Sequence, residues 1–207
     1  MAANPAINNA KSVAVQKFPL KTSSESEDGF QELTKAMSQF KASSEGKVER
    51  AFLGKISDSV VEQIFLLNTP INTAEPFLPF TSSPKQLTVS TVVPSNFTSL
   101  SDSLYAPLTE TIVQDLVPGT DLDALSKGLE SLGDSIRSWP GGYGSAFGFV
   151  QQEGKTKIVV VNGWENHERG TEWLANLNEV NAAYFQDLAT SLGGSPEPTF
   201  NHVTEVE

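Results

Sequence analysis

One order of elements runs through this chain twice. Strand, helix, strand, strand, helix, strand can be traced in each half of the 207 residues. Matching elements lie roughly 95–110 residues apart, and the order is that of the split βαβ, ferredoxin-like unit. In the first half, Val13 to Leu20 reads as a strand ended by proline. Phe30, Leu33, Met37 and Phe40 then follow at helical spacing. Val48 to Ile56 and Val60 to Leu67 read as strands about the turn Ser57-Asp58-Ser59. Pro70, Pro76, Pro79 and Pro84 allow only a short or broken helix before the strand Leu87 to Val93. In the second half, Thr111 to Val117 is a strand closed by Pro118-Gly119. Leu122, Leu125, Leu129, Leu132 and Ile136 mark a helix that Asp121 can cap. Ser145 to Gln152 and Lys157 to Asn162 flank the turn Glu153-Gly154-Lys155. Trp173, Leu177, Val180, Tyr184 and Leu188 predict a last helix, stopped by Gly193-Gly194, and Thr199 to Val206 a closing strand. The expected domains are a disordered N-terminus (1–10), repeat 1 (11–95), a linker (96–109) and repeat 2 (110–207).

A single unit of this kind leaves one sheet face bare. Burying such a face stabilises by about 25 cal/mol per Å² of apolar area. Ile158 to Val161 is apolar on both sides, as a strand buried on both faces would be. Val159, Val161, Phe147 and Phe149 are the expected residues of the hidden face. The predicted fold class is therefore α+β: two βαββαβ repeats in tandem, forming an intramolecular α+β barrel of antiparallel sheets. One chain can close such a barrel, so a pseudo-dimeric monomer is expected, with a homodimer as the alternative.

Charge and composition remove whole classes of function. Net charge is −11, and from Leu104 onward there are 15 acidic residues against 5 basic ones. So negative a surface repels phosphate backbones and anionic lipid, which argues against nucleic-acid and membrane partners. With no cysteine and only His167 and His202, thiolate chemistry and His-rich metal sites are absent, and no metal site is expected. Residues 1–10 have neither a basic start nor an apolar block and no stretch approaches a spanning length, so no secretory signal and a cytoplasmic location are expected. The motifs of serine hydrolases, zinc proteases, P-loops and Rossmann folds are missing.

The run Ile158-Val159-Val160-Val161-Asn162-Gly163-Trp164-Glu165-Asn166-His167-Glu168 resembles a motif of the dimeric α+β barrel superfamily. The likeness is to tandem members of the antibiotic-biosynthesis-monooxygenase-like or stress-responsive type common in fungi. In that family a strand ends in Trp, an acidic residue, a small capping residue and a spaced Glu. Here those are Trp164, Glu165, Asn166 and Glu168. The family often has a histidine two residues after that Glu, where this chain has Gly170. The first repeat has Asn68-Thr69-Pro70 in place of the Trp motif. The resemblance implies a cofactor-independent enzyme, an oxygenase, cyclase or isomerase, acting on a small apolar aromatic or polyketide-like compound. A non-catalytic stress-responsive or ligand-binding barrel is one alternative, and a haem-binding or haem-degrading protein another.

Asn162 and Trp164 alternate onto one strand face. On the family's pattern, Asn162 would donate to a developing oxyanion and Trp164 would stack on the substrate, while core packing is the plainer account of both. His202, sharing a face with Phe200 and Thr204, is the candidate general base. These three are the expected catalytic residues. Tyr143 on a glycine-rich loop, Tyr184, Phe147, Phe149 and His167 are the expected substrate-binding residues. No cofactor is called for.

Overall fold

The computed structural model describes residues 10–21, 26–83 and 88–207. The N-terminal stretch 1–9 lies outside these. The described residues form two compact units, one from the stretch up to Val93 with Asn201–Glu207 and one from Pro94–Phe200. The fold class is mixed α+β with two antiparallel sheets.

The first unit runs β1 (Ser12–Pro19), α1 (Ser26–Ser43), β2 (Val48–Ser57), β3 (Val60–Leu67), a 3-10 helix (Glu75–Phe80) and β4 (Thr88–Val92). The sheet order is β4-β1-β3-β2, to which the C-terminal strand β9 (Val203–Val206) adds itself beside β2. Leu33 and Met37 of the predicted stripe are fully buried. They pack with Ala14, Phe18, Phe65 and Leu67. The other sheet face is buried too, with Val13, Val15, Phe52, Ile64 and Leu66 at most 1% exposed. The prolines limit the connection to one 3-10 helix, with Pro79 inside it. The phenylalanines of this segment turn into the core. Phe77 is stacked on Phe65 at 5.7 Å and meets Phe40 edge-on at 5.5 Å. Phe80 packs against the same cluster, and Leu78 is left exposed.

The second unit runs α2 (Phe97–Leu104), β5 (Leu108–Asp115), α3 (Leu122–Ser138), β6 (Gly142–Gln152), β7 (Lys155–Trp164), α4 (His167–Ala175), α5 (Glu179–Ser191) and β8 (Thr199–Asn201). The sheet order β6-β7-β5-β8 is that of the first sheet read from its other edge. Asp121 caps α3 as expected, its carboxylate accepting from the amides of Asp123 and Ala124.

Four expectations need correcting. The stretch read as a linker contains helix α2, capped by Asn96, whose Ser-rich sequence hides its short apolar stripe. This helix lies on β6 and β7. A Cβ on Gly144 would stand 2.6 Å from the Ser99 carbonyl, and one on Gly163 2.6 Å from the Ser103 Cα, so both approaches require glycine. The single last helix is two, because Asn178 accepts from the Asn181 amide and starts α5 afresh. The break shifts the helical phase, so Val180 is 60% exposed while Asn181 is buried. Phe147 and Phe149 pair with Val160 and Ile158, so they lie on the helix-facing side, not beside Val159 and Val161. The closing strand is broken at His202, giving β8 in the second sheet and β9 in the first. Strand β9 is fastened by Arg50 to Glu205 at 2.8 Å and, just before it, by Asn201 to the buried Glu62 at 2.8 Å.

No helix among the described residues is long and apolar enough to cross a membrane.

Two outcomes follow from this packing. Phe77→Ala is expected to cost about 3–5 kcal/mol in urea unfolding, while Leu78→Ala stays within about 0.5 kcal/mol. At the far end of β5, hydrogen bonds from Lys155 (2.6 Å) and Lys157 (2.5 Å) hold the Asp115 carboxyl below its ordinary value. A lowered folded-state value stabilises above the ordinary carboxyl range and is lost as pH falls through the folded value. The stability gap between wild type and Asp115→Asn should therefore be full at neutral pH and close progressively below about pH 4, read by unfolding curves across that range.

Candidate functional site

Strands β5 and β7 lie side by side, and their register sets Glu110 directly opposite Asn162. Alternation places both on the face that carries Ile112 and Val160, the face covered by helices. Trp164 follows two residues on. Asn162 Nδ2 donates to Glu110 Oε2 at 3.0 Å, and Trp164 Nε1 donates to the same oxygen at 2.7 Å. The other carboxylate oxygen, Oε1, takes no hydrogen bond among the described residues. Asn162 and Trp164 are 7% and 1% exposed, so both donors are spent in a nearly dry setting. Asn162 Oδ1 is buried without a partner.

These three residues form the floor of a cavity of about 380 Å³ between the sheet and helices α3, α4 and α5. Such a volume falls within the range of small-molecule pockets. The walls are apolar, including Leu129, Leu132 and Ile136 of α3, Trp173 of α4, Phe185 and Leu188 of α5, and Phe200 of β8. Trp173 lies 5.7 Å from Trp164 between ring centroids and is fixed by donating to Ser135 Oγ at 3.0 Å. His167 opens α4 with an exposed side chain, its ring edge-on to Phe200 at 4.7 Å. Gly170 lines the cavity against the Trp164 indole: a Cβ there would stand 3.3 Å from its Cε2. The position at which the resembling family often has histidine is thus a glycine packed closely on the indole, where even a Cβ would be crowded. Arg169 is committed elsewhere. Glu172 (2.8 Å) and then Glu165 (3.4 Å) hold its guanidinium above its ordinary value.

Of the residues singled out from sequence, the cavity brings together Asn162, Trp164 and His167. Tyr184 lines a separate groove with Asp121 and Asp187 and packs against Gly128. Phe147 is core and borders a smaller cavity with Ser95 and Ser99, and Phe149 packs on it at 5.8 Å. Tyr143 is half-buried near Gly163 and does not line the cavity. His202 is exposed at the break between β8 and β9, so the face expected to join it to Phe200 does not exist. Sequence reasoning missed Glu110. The strand read from spacing begins at Thr111, three residues after β5 does, and so leaves Glu110 out, and the register against β7 cannot be read from spacing.

The first unit has no counterpart. Counted from the two hairpin turns, where Ser57 pairs with Val60 and Gln152 with Lys155, the pair Ser12 and Leu67 stands where Glu110 and Asn162 do.

No family model and no curated protein matches the chain. Solved structures do. An anthrone oxidase-like protein superposes with a TM-score of 0.63 at 11% identity, over 97% of this chain and 94% of its own. A candidate monooxygenase of Fusobacterium nucleatum gives 0.59 at 10% identity, over 97% and 94%. A haem-binding protein of Thermus thermophilus gives 0.54 at 11%, over 94% and 91%. What is shared with these proteins is the α+β fold.

Glu110→Ala would orphan two buried donors. A loss of about 1–3 kcal/mol per orphaned donor is expected in urea unfolding. Glu110→Gln, whose amide oxygen can still accept both bonds, should recover much of it.

Proposed function

We propose that this chain is a cofactor-independent enzyme acting on a small apolar aromatic or polyketide-like compound. The class is oxygenase, with cyclase or isomerase chemistry open to the same deprotonated intermediate. The observation that carries this reading is the carboxylate of Glu110, fixed through one oxygen by Asn162 and Trp164, at the floor of a mostly apolar cavity. An electron-rich aromatic carbon acid needs only to lose a proton before it can reduce dioxygen itself. Glu110 Oε1 is the atom placed to take that proton. Asn162 and Trp164 act as positioning residues for it, and the apolar walls orient the rings and exclude water. For an anthrone, the ring system named in one structural neighbour, the reaction balances as anthrone plus O₂ giving anthraquinone plus water. The tandem fold of the dimeric α+β barrel type, suggested by the repeated sheet order, is part of this reading.

A haem does not suit these residues. Its propionates need cationic or backbone donors, and no lysine or arginine is among the cavity's lining residues. The one imidazole there, His167, sits exposed and packed on Phe200. A non-catalytic ligand-binding protein is the second reading, favoured by the scarcity of titratable groups in the cavity.

Oxygen uptake and quinone formation with anthrone decide between them. Turnover is expected, reduced about 10²–10⁴-fold in Glu110→Gln and unchanged in His202→Ala. Saturable binding without turnover would establish the ligand-binding reading. Full turnover in Glu110→Gln would remove Glu110 from the chemistry.

A further inference from the structure

We propose that the cavity selects a neutral aromatic bearing a hydroxyl donor and turns away carboxylate analogues of the same ring system. This rests on reading the cavity as a site for aromatic compounds. Trp164 Nε1 has a single proton, and Glu110 takes it at 2.7 Å. Asn162 Nδ2 is turned to the same oxygen at 3.0 Å. A carboxylate only accepts, so flipping the amide would set oxygen against oxygen. That fixes Asn162 Oδ1 on the far side, buried and without a partner. Glu110 Oε1 has no hydrogen bond among the described residues. The floor therefore offers a ligand one free acceptor, Glu110 Oε1, and Asn162 Oδ1 is closed off behind it.

Charge points the same way. The lining residues include no lysine or arginine, and the one formal charge on the floor is that of Glu110. An anion placed on the remaining N–H of Asn162 would sit beside that carboxylate, where low dielectric magnifies like-charge repulsion. A neutral hydroxyl meets no such penalty and supplies the missing donor. Transfer of its proton, or of an adjacent acidic C–H, to Glu110 neutralises the carboxylate as the ligand becomes an anion. The ligand thus enters uncharged and gains charge only as the protein loses it. A methyl ether of the same shape leaves Glu110 Oε1 unpaired, the situation in which polar sites discriminate most strongly.

Calorimetric titration at neutral pH with 1-naphthol, 1-methoxynaphthalene and 1-naphthoate tests this on the intact protein. The naphthol should bind at least tenfold more tightly than either of the others. In Glu110→Gln, checked for an unchanged melting temperature, the gap between naphthol and naphthoate should narrow at least tenfold. Naphthoate binding as tightly as naphthol to the wild type would overturn the proposal, whether or not the variant folds. Equal, saturable binding of naphthol and its ether would overturn donor selection and leave the aromatic site standing. Failure of all three to bind would remove both.

Discussion

Two hydrogen bonds onto one oxygen of Glu110 organise the cavity end of the second unit. They join a side chain of β5 to two of β7, above the backbone ladder that already pairs those strands. Charge-assisted bonds of this sort hold geometry more firmly than neutral ones. Because Trp164 is tied at its nitrogen, its ring is fixed where Trp173 and Gly170 can pack on it. The carboxylate is in turn denied rotation. A single polar tie thus sets the position of an indole, an amide and an acid in otherwise apolar surroundings. Those are the surroundings in which a fixed charge has the most effect on a bound molecule.

The rest of the unit makes room for that tie. On the opposite sheet face, Gly144 and Gly163 let α2 settle against β6 and β7, with Thr109 Oγ1 donating to the Ser103 carbonyl at 3.2 Å. The site strand is therefore supported from behind and cannot bow away from the helices. On the near face, the interruption between α4 and α5 matters more. A continuous helix would present one unbroken apolar stripe to the sheet. Two separately capped helices instead bring Trp173 from one and Phe185 and Leu188 from the other to the cavity's margin.

What could be read in advance was whatever depends on period. The α1 and α3 stripes, the hairpins β2–β3 and β6–β7, and the Asp121 cap all rest on local spacing, and each stands in the structure. Asn162 and Trp164 were paired by strand alternation, and they do share a face. What could not be read depends on register or on competition between neighbours. Glu110 has meaning only once β5 is aligned against β7. The helix break depends on Asn178 winning as a cap over continuation through an apolar stripe that looked intact. His202 illustrates the opposite failure: alternation was carried across a strand that changes sheet, and the histidine was placed on a face that ends at Phe200.

The two units share a sheet order but not a site, and the reason lies in how each fills the space under its second helical segment. In the first, prolines shorten that segment to a 3-10 helix, and Phe77 drops onto Phe65 and Phe40 to complete a solid aromatic core. The sheet positions that would hold an acid and an amide hold Ser12 and Leu67, both buried. In the second, two helices occupy the segment, and the residue packed on the floor indole is Gly170. One unit has spent its interior on packing and the other has kept it open. The two sheets share an order, and among the described residues the cavity floored by Glu110, Asn162 and Trp164 lies in the second unit. The first unit's buried acid, Glu62, sits elsewhere on its strand and is tied to Asn201, so the positions matching Glu110 and Asn162 are left to a serine and a leucine that pack.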